Sequence, residues 1–361
     1  MSRTTDVVII GGGIAGLTVA LAAAERGLTV VIIDEPRPGA ASRAAAGMLA
    51  PSVEGLSPAV QEIAVAARDY FPSFLTQLRA KADVDVAVTL DRNGIIELAS
   101  SAEELASLLG RAPPGAQPLD RDALASLEPA LAHHAGGVLH PSDGAVDNVT
   151  LMMSLDLAVA RERRIRRIHD RADSVDLANG RRHVWTGEGT RHEGATIVLA
   201  SGAWAGSLSG LPRALPVRPL RGQLLRLDRR PVAHVTYGGG GYLVPRGNTL
   251  LIGATSEETG FDNGTTDAGL ASLREIASRT IPGLQDARVV EHWAGLRPVT
   301  PDALPILGAD PEVPALLYAC GFSRNGILLA PWAAGQLVGV ITHDQPPESL
   351  ALFSAARFTS N

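Results

Sequence analysis

The chain has 361 residues, of which 45% are hydrophobic and 19% charged, with a formal net charge of -6 at pH 7. That length predicts two lobes rather than one core, and the acidic balance argues against a nucleic-acid partner, whose phosphates require a positive footprint. A single cysteine, Cys320, excludes an intrachain disulfide and agrees with a reducing cytoplasm.

In chain order, the apolar run 7–10 breaks at the glycines 11–13 without a cleavage pattern, so no signal peptide is expected. No charge-free apolar stretch of about 18 residues is present, so neither a transmembrane helix nor a membrane partner is expected. Residues 6–10 (DVVII) have the pattern of a buried parallel strand. They run into Gly11-Gly12-Gly13-Ile14-Ala15-Gly16, a G-x-G-x-x-G turn, then a helical pattern that stops near Gly27. A second strand over 29–33 (TVVII) ends at Asp34. In this βαβ unit Gly11 permits the tight turn, Gly13 lets backbone approach a pyrophosphate, and Gly16 lets helix and strand pack closely. The helix N-terminus at Ile14 and Ala15 offers N–H groups and a positive dipole end to phosphates. Asp34 can accept from a ribose hydroxyl. The unit predicts a dinucleotide site.

The βαβ unit alone does not choose between FAD and NAD. The next segment, 39–51 (GAASRAAAGMLAP), points to FAD. A stretch of small residues through Ser42, Arg43, Ala45, Ala46, Gly47 and Met48 can lay its backbone against a bulky planar ring, although an Ala-rich helix start has the same composition. Farther on, 84–98 and 217–290 contain alternating strand-like runs, among them 223–227 and 249–253, suited to an antiparallel sheet. Residues 110–118 (GRAPPGAQP) read as a surface loop, the basic run 161–167 (RERRIRR) as the solvated end of a helix, and Pro346 and Pro347 as the start of a tail. A strand over 196–200 runs into Ser201 and Gly202.

Beyond these patterns, the stretches DVVIIGGGIAGLTVA, SRAAAGMLAP, VLASGAWAG, PVRPLRGQ, YLVPR, LLIGATSEETGFD, EHWAGLRPVTPDALPILG and GFSRNGILLAP occur in order along the chain. Together they resemble the thiamine-pathway glycine oxidases of the D-amino acid oxidase and sarcosine oxidase group. The resemblance implies a mixed α/β fold, with a Rossmann-like FAD-binding domain and an antiparallel-sheet substrate domain. The FAD domain is expected over 1–83, 139–215 and 293–361, and the substrate domain over 84–138 and 216–292. FAD would be held without a covalent link, and no metal is expected. The implied reaction oxidises glycine or an N-substituted glycine by hydride transfer from the α-carbon to flavin N5. The imine then hydrolyses to glyoxylate plus ammonia or an amine, and O2 becomes H2O2. A sarcosine or D-amino acid oxidase, a quinone-linked flavin dehydrogenase and a non-catalytic FAD-binding protein are the alternatives. Family members are often oligomeric; the sequence carries no interface signature.

Carried onto this chain, the resemblance makes Arg297 the carboxylate anchor, a role that suits a guanidinium's two parallel hydrogen bonds. It places Tyr242 on the same carboxylate and Arg324 beside the flavin, serving either the substrate or its own loop. Gly326, Ile327 and Leu328 would offer backbone N–H groups to the flavin pyrimidine, and Ser174, Ser201 and Gly202 join the cofactor set. His292 reads as structural. Gly295 stands where sarcosine oxidases carry their flavin-linking cysteine, so Cys320 is expected to be free and buried. In the substrate pocket, Met48, Gly240, Ser256, Phe322 and Ser323 are the expected lining. Gly240, Ser256 and Ser323 are smaller than the residues found in family members that use free glycine, which predicts a pocket wide enough for an N-substituent.

Overall fold

The computed structural model describes residues 5–82, 88–342 and 348–358. The start of the expected run 84–98 and the Pro346, Pro347 pair lie outside the described residues.

A first sheet is built on the N-terminal strand Thr5–Ile10, which pairs in parallel with Val30–Ile33 on one side and Arg191–Leu199 on the other. Central in its sheet and covered on both faces, it is apolar at every position from Val7 to Ile10, as a buried parallel strand must be. The order continues outward through Ile165–Ile168 at one end and His183–Thr186 and Ala172–Asp176 at the other. Leu316–Cys320 also pairs in parallel with Arg191–Leu199 and carries Ile306–Ala309 antiparallel. Helices Ile14–Glu25, Pro58–Ala82, Asn148–Arg161 and Gly326–Ile341 share one apolar core with this sheet.

A second sheet runs in the order Val289–Val299, Arg218–Leu227, Thr249–Gly253, Gly241–Arg246, Val235–Gly238, Ile95–Ala99, Gly136–His140, Gln117–Asp120. All its pairings are antiparallel except that of Val235–Gly238 with Ile95–Ala99. Helix Asp267–Thr280 packs Leu273, Ile276 and Ala277 against one face with Leu225, Leu243 and Ile252. The opposite face presents Leu224, Tyr242, Val244 and Leu251 to Ala46, Ala50 and Ala145. The domain boundaries expected at 138/139 and 292/293 fall inside strands Gly136–His140 and Val289–Val299, each of which lies whole in this sheet. A small third sheet of Met48–Leu49, Gly144–Val146 and Leu90–Asp91 lies at the junction. Among the described residues no helix is long and apolar enough to cross a membrane.

Candidate active site

One cavity of about 510 Å³ extends from the glycine turn after the first strand to the inner face of the second sheet. At the turn, Gly11 has φ 111° and its N–H donates to Ile33 O at 2.9 Å. A side chain there would strike the Ala200 carbonyl, and one at Gly16 would overlap the Gly11 carbonyl. The first helix therefore sits as close to the strands as backbone allows. Gly12 N–H donates to Asp34 Oδ1 at 2.7 Å, and Ile14 N–H to Ser42 Oγ at 3.1 Å. Asp34 is also held by Arg167, whose Nη2 donates to Oδ2 at 2.5 Å and whose Nη1 donates to Asp156 at 2.7 Å. Asp156 in turn accepts from Arg43.

This corrects the reading of the basic run 161–167. Its helix ends at Arg161, and Ile165–Ile168 is a strand paired with Val30–Ile33. That pairing points Arg167 into the cavity beside Asp34 instead of into solvent. The strand reads Ile-Arg-Arg-Ile with no period-2 alternation, so neither its charge nor its periodicity marks it as a strand.

The small-residue segment crosses the middle of the cavity, and side chains from three elements hold its carbonyls. Asn148 Nδ2 donates to Ser42 O (3.1 Å) and Arg43 O (3.0 Å), Trp293 Nε1 to Ala44 O (2.8 Å), and Arg246 Nη2 to Ala46 O (2.8 Å). Leu296 N–H donates to Gly39 O at 2.8 Å. Gly295 has no side chain because one would meet Ala44 Cβ at 2.5 Å. With its carbonyls occupied by donors outside the cavity, the segment is fixed with its small side chains and backbone along the cavity wall.

At the far end, strand register sets the geometry. Leu220 faces Arg297, Leu224 faces Gly253, and Gly253 faces Tyr242. Side chains alternate between faces, so Arg297, Gly222, Leu224, Gly253 and Tyr242 share one face, toward the cavity. The glycines leave room for the groups beside them. A Cβ at Gly222 would lie 2.5 Å from Arg297 Cζ, and one at Gly253 would lie 2.5 Å from Tyr242 Cζ. Arg297 Nη1 donates to Thr255 O at 3.0 Å, and the guanidinium shares the cavity-facing side of the sheet with the Tyr242 hydroxyl. Burial raises the Tyr242 pKa, against the pull of Arg297 and Arg324, so the phenol keeps its proton. Arg324, half exposed, donates to Tyr237 OH at 3.0 Å and pairs with Glu54 at 3.4 Å.

Of the expected residues, Gly11, Gly13, Ile14, Ala15, Asp34, Ser42, Arg43, Ala45, Ala46, Gly47, Met48, Ser201, Gly202, Tyr242, Arg297, Phe322, Ser323, Arg324, Gly326 and Ile327 line this cavity. Gly16 packs behind the turn. Leu328 is buried in the core behind Ile327, and Ser174 pairs with Ser209 on an outer strand; neither lines the cavity. Two of the supports for a wide pocket are also displaced. Gly240 is at a hairpin tip with φ 88°, where a side chain would meet nothing, so the glycine serves the turn and not the pocket. Ser256 is exposed outside the cavity. His292 is exposed and hydrogen-bonds Thr265. Cys320 is fully buried in its strand, which pushes its thiol up to about 12. Glu54, Arg167, Gly222 and Leu224 line the cavity without having been anticipated. Glycines isolated in strands, such as Gly222, are a sequence signal of close approach.

Residues 6–339 match the family described as FAD dependent oxidoreductase, or DAO. The chain belongs to that family. The crystal structure of glycine oxidase from Geobacillus kaustophilus is similar with a TM-score of 0.90 and 31% identity, covering 99% of this chain and 100% of that one. Iminodiacetate oxidase from Chelativorans sp. BNC1 is similar with a TM-score of 0.87 and 27% identity, covering 96% and 98%. The bifunctional protein ThiO/ThiG of Trichormus variabilis is 34% identical over 98% of this chain, which spans 55% of that relative's length. The cofactor of this family fits the residues present. The glycine turn and Asp34 stand at one end of the cavity, and the N-termini of the Ile14 and Gly326 helices open onto it. Ser201 Oγ, on the wall between them, is buried with no hydrogen-bond partner among the described residues.

Proposed function

We propose that this FAD-dependent oxidoreductase is an oxidase of glycine or an N-substituted glycine. Its products are glyoxylate, ammonia or an amine, and H2O2 from O2. The observation that carries this reading is the Arg297–Tyr242 pair on the sheet face at the cavity end opposite the dinucleotide turn. When bound, FAD supplies the two-electron oxidation of the amino acid's C–N bond.

The chain's own residues bind and orient. Arg297 is fixed by Thr255 O through Nη1, and its remaining N–H groups suit a carboxylate's two oxygens. The Tyr242 hydroxyl would add one donor. A carboxylate gripped in a plane fixes the direction of the α-carbon, and such orientation supplies much of the rate in a reaction of this kind. Gly11, Gly13 and the first helix N-terminus would hold the pyrophosphate, Asp34 a ribose hydroxyl, and Gly326 and Ile327 the far end of the flavin. The first sheet with its helices forms the FAD lobe, and the second sheet forms the substrate lobe. FAD is held without a covalent link, since Gly295 offers no thiol and Cys320 is enclosed in its strand. Acid precipitation should leave the yellow colour in the supernatant; colour in the pellet contradicts this.

Ser323 at the cavity wall supports the N-substituted arm, as does similarity to an iminodiacetate oxidase. The test is anaerobic flavin reduction across glycine, sarcosine, N-alkyl glycines and D-amino acids. Rapid bleaching by glycine or an N-substituted glycine is expected. Bleaching only by bulky D-amino acids, or by none of the panel, overturns the reading.

A further inference from the structure

Glu54 is an acid that the reaction as described leaves unused. It lines the same cavity as Arg297 and Tyr242, and its side chain is only 7% exposed. The other acids on the cavity wall among the described residues, Asp34, Glu35, Asp170 and Asp173, belong to the dinucleotide end. The chain around Glu54 is firmly held. Ser52 donates through its N–H and Oγ to Asp143 at 2.9 and 3.1 Å, and Arg68 Nη1 donates to the same carboxylate at 2.8 Å. Asp143 itself is fully buried.

Arg324 lies 3.4 Å from Glu54 and also bonds Tyr237, and Arg297 and Tyr242 line the same cavity. The Arg324 contact is long for a charge-assisted hydrogen bond. A buried carboxylate ordinarily takes up nearby donors. Among the described residues no shorter contact to a donor reaches this one, and it lines the same cavity as Arg297 and Tyr242.

We propose that Glu54 receives the amino group of the substrate and accepts its proton. The proposal rests on the reading that the cavity binds an amino acid by its carboxylate. In solution such a substrate is an ammonium carboxylate, and an ammonium nitrogen has no lone pair with which to form a C=N bond. On binding, one N–H bond breaks and an O–H bond forms on Glu54. A neutral amine and a neutral carboxyl result, with no electrons transferred. Burial raises the Glu54 pKa against the pull of Arg324 and Arg297, which makes its carboxylate a better proton acceptor.

The test compares wild-type and Glu54→Gln holoenzymes, with Glu54→Asp as the conservative variant and the flavin spectrum as a check on assembly. The substrate is whichever amino acid of the panel bleaches wild-type flavin fastest, so failure with glycine compounds overturns the functional reading alone. Near neutral pH, Glu54→Gln should lose about tenfold or more in kcat/KM. The deficit should shrink above the substrate amine's own pKa, where the neutral amine is already present, and also at acid pH, where wild-type Glu54 is protonated. The Ki for glycolate, which carries a hydroxyl in place of the amine, should stay within about threefold of wild type, and Glu54→Asp should recover part of the loss. A variant equal to wild type near neutrality overturns the proposal. So does a loss that is uniform with pH and matched by weaker glycolate binding, since Glu54 would then only support Arg324.

Discussion

The guanidinium of Arg297 lies across Gly222, so close that a Cβ on that glycine would come within 2.5 Å of Arg297 Cζ. Gly222 does not need unusual backbone dihedrals, since it sits in the regular strand Arg218–Leu227; it is there to leave space. Gly222→Ala is therefore expected to tilt Arg297 off the carboxylate plane while leaving the fold and FAD in place. Substrate KM should rise about tenfold or more, given the strength of hydrogen bonds to a charged group. Steady-state kinetics with a parallel measurement of flavin content checks this. An unchanged KM would mean that the arginine is free to move and does not set the substrate's position.

At the other end of the cavity, Arg167 links Asp34 to Asp156. Arg167→Ala leaves Asp34 bonded to the Gly12 N–H but free to rotate about it. FAD affinity should fall by about tenfold, the order expected for a misplaced charge-assisted hydrogen bond. With saturating FAD, substrate KM should not change. Equilibrium dialysis of FAD against the apoprotein measures the first quantity. Undiminished affinity would assign Arg167 to strand packing only.

The unevenness of what the sequence reveals has a physical basis. The βαβ unit is contiguous, so its strand, turn, helix and acid could be read from local pattern alone. Arg297 and Tyr242 stand out only through motifs that resemble a family, and the register explains why they share a face: Leu220, Gly222 and Leu224 alternate with residues of the opposite face. Glu54 lies in an irregular stretch with no periodicity, and its role depends on Arg324 and Arg297 arriving from distant parts of the chain. Gly240 and Ser256 show the opposite error. A small residue that shapes a hairpin and one that enlarges a pocket look alike in a sequence, and only Ser323 of the proposed set lines the cavity.

Stability should carry an acid limb from Asp310. This buried carboxylate accepts from Arg213 Nε at 2.6 Å, Tyr318 OH at 2.8 Å and the Glu312 and Val313 N–H groups. Burial alone would raise its pKa, but these donors outweigh burial and hold it below the usual carboxylate range. A depressed folded pKa contributes stability above the unfolded pKa, lost as pH falls through the folded value. Wild-type Tm should therefore drop on acidification below about pH 4. Asp310→Asn should lower Tm at neutral pH, because removing one partner of a buried pair costs about 3–5 kcal/mol. It should also flatten the acid limb. Thermal melts across pH would show this, and parallel Tm–pH curves for the two proteins would refute it.

The carboxylate grip is tested most directly by kcat/KM of Arg297→Ala and Arg297→Lys, with FAD content measured on the same samples. Losing one charged contact costs about 1.5–3 kcal/mol, and misplacing the α-carbon adds to it. Arg297→Ala should fall by at least about tenfold with full FAD content. Arg297→Lys should recover only part, since an ammonium cannot make the planar two-bond grip. Near-normal oxidation by Arg297→Ala with flavin intact would contradict the account and transfer the carboxylate to Arg324.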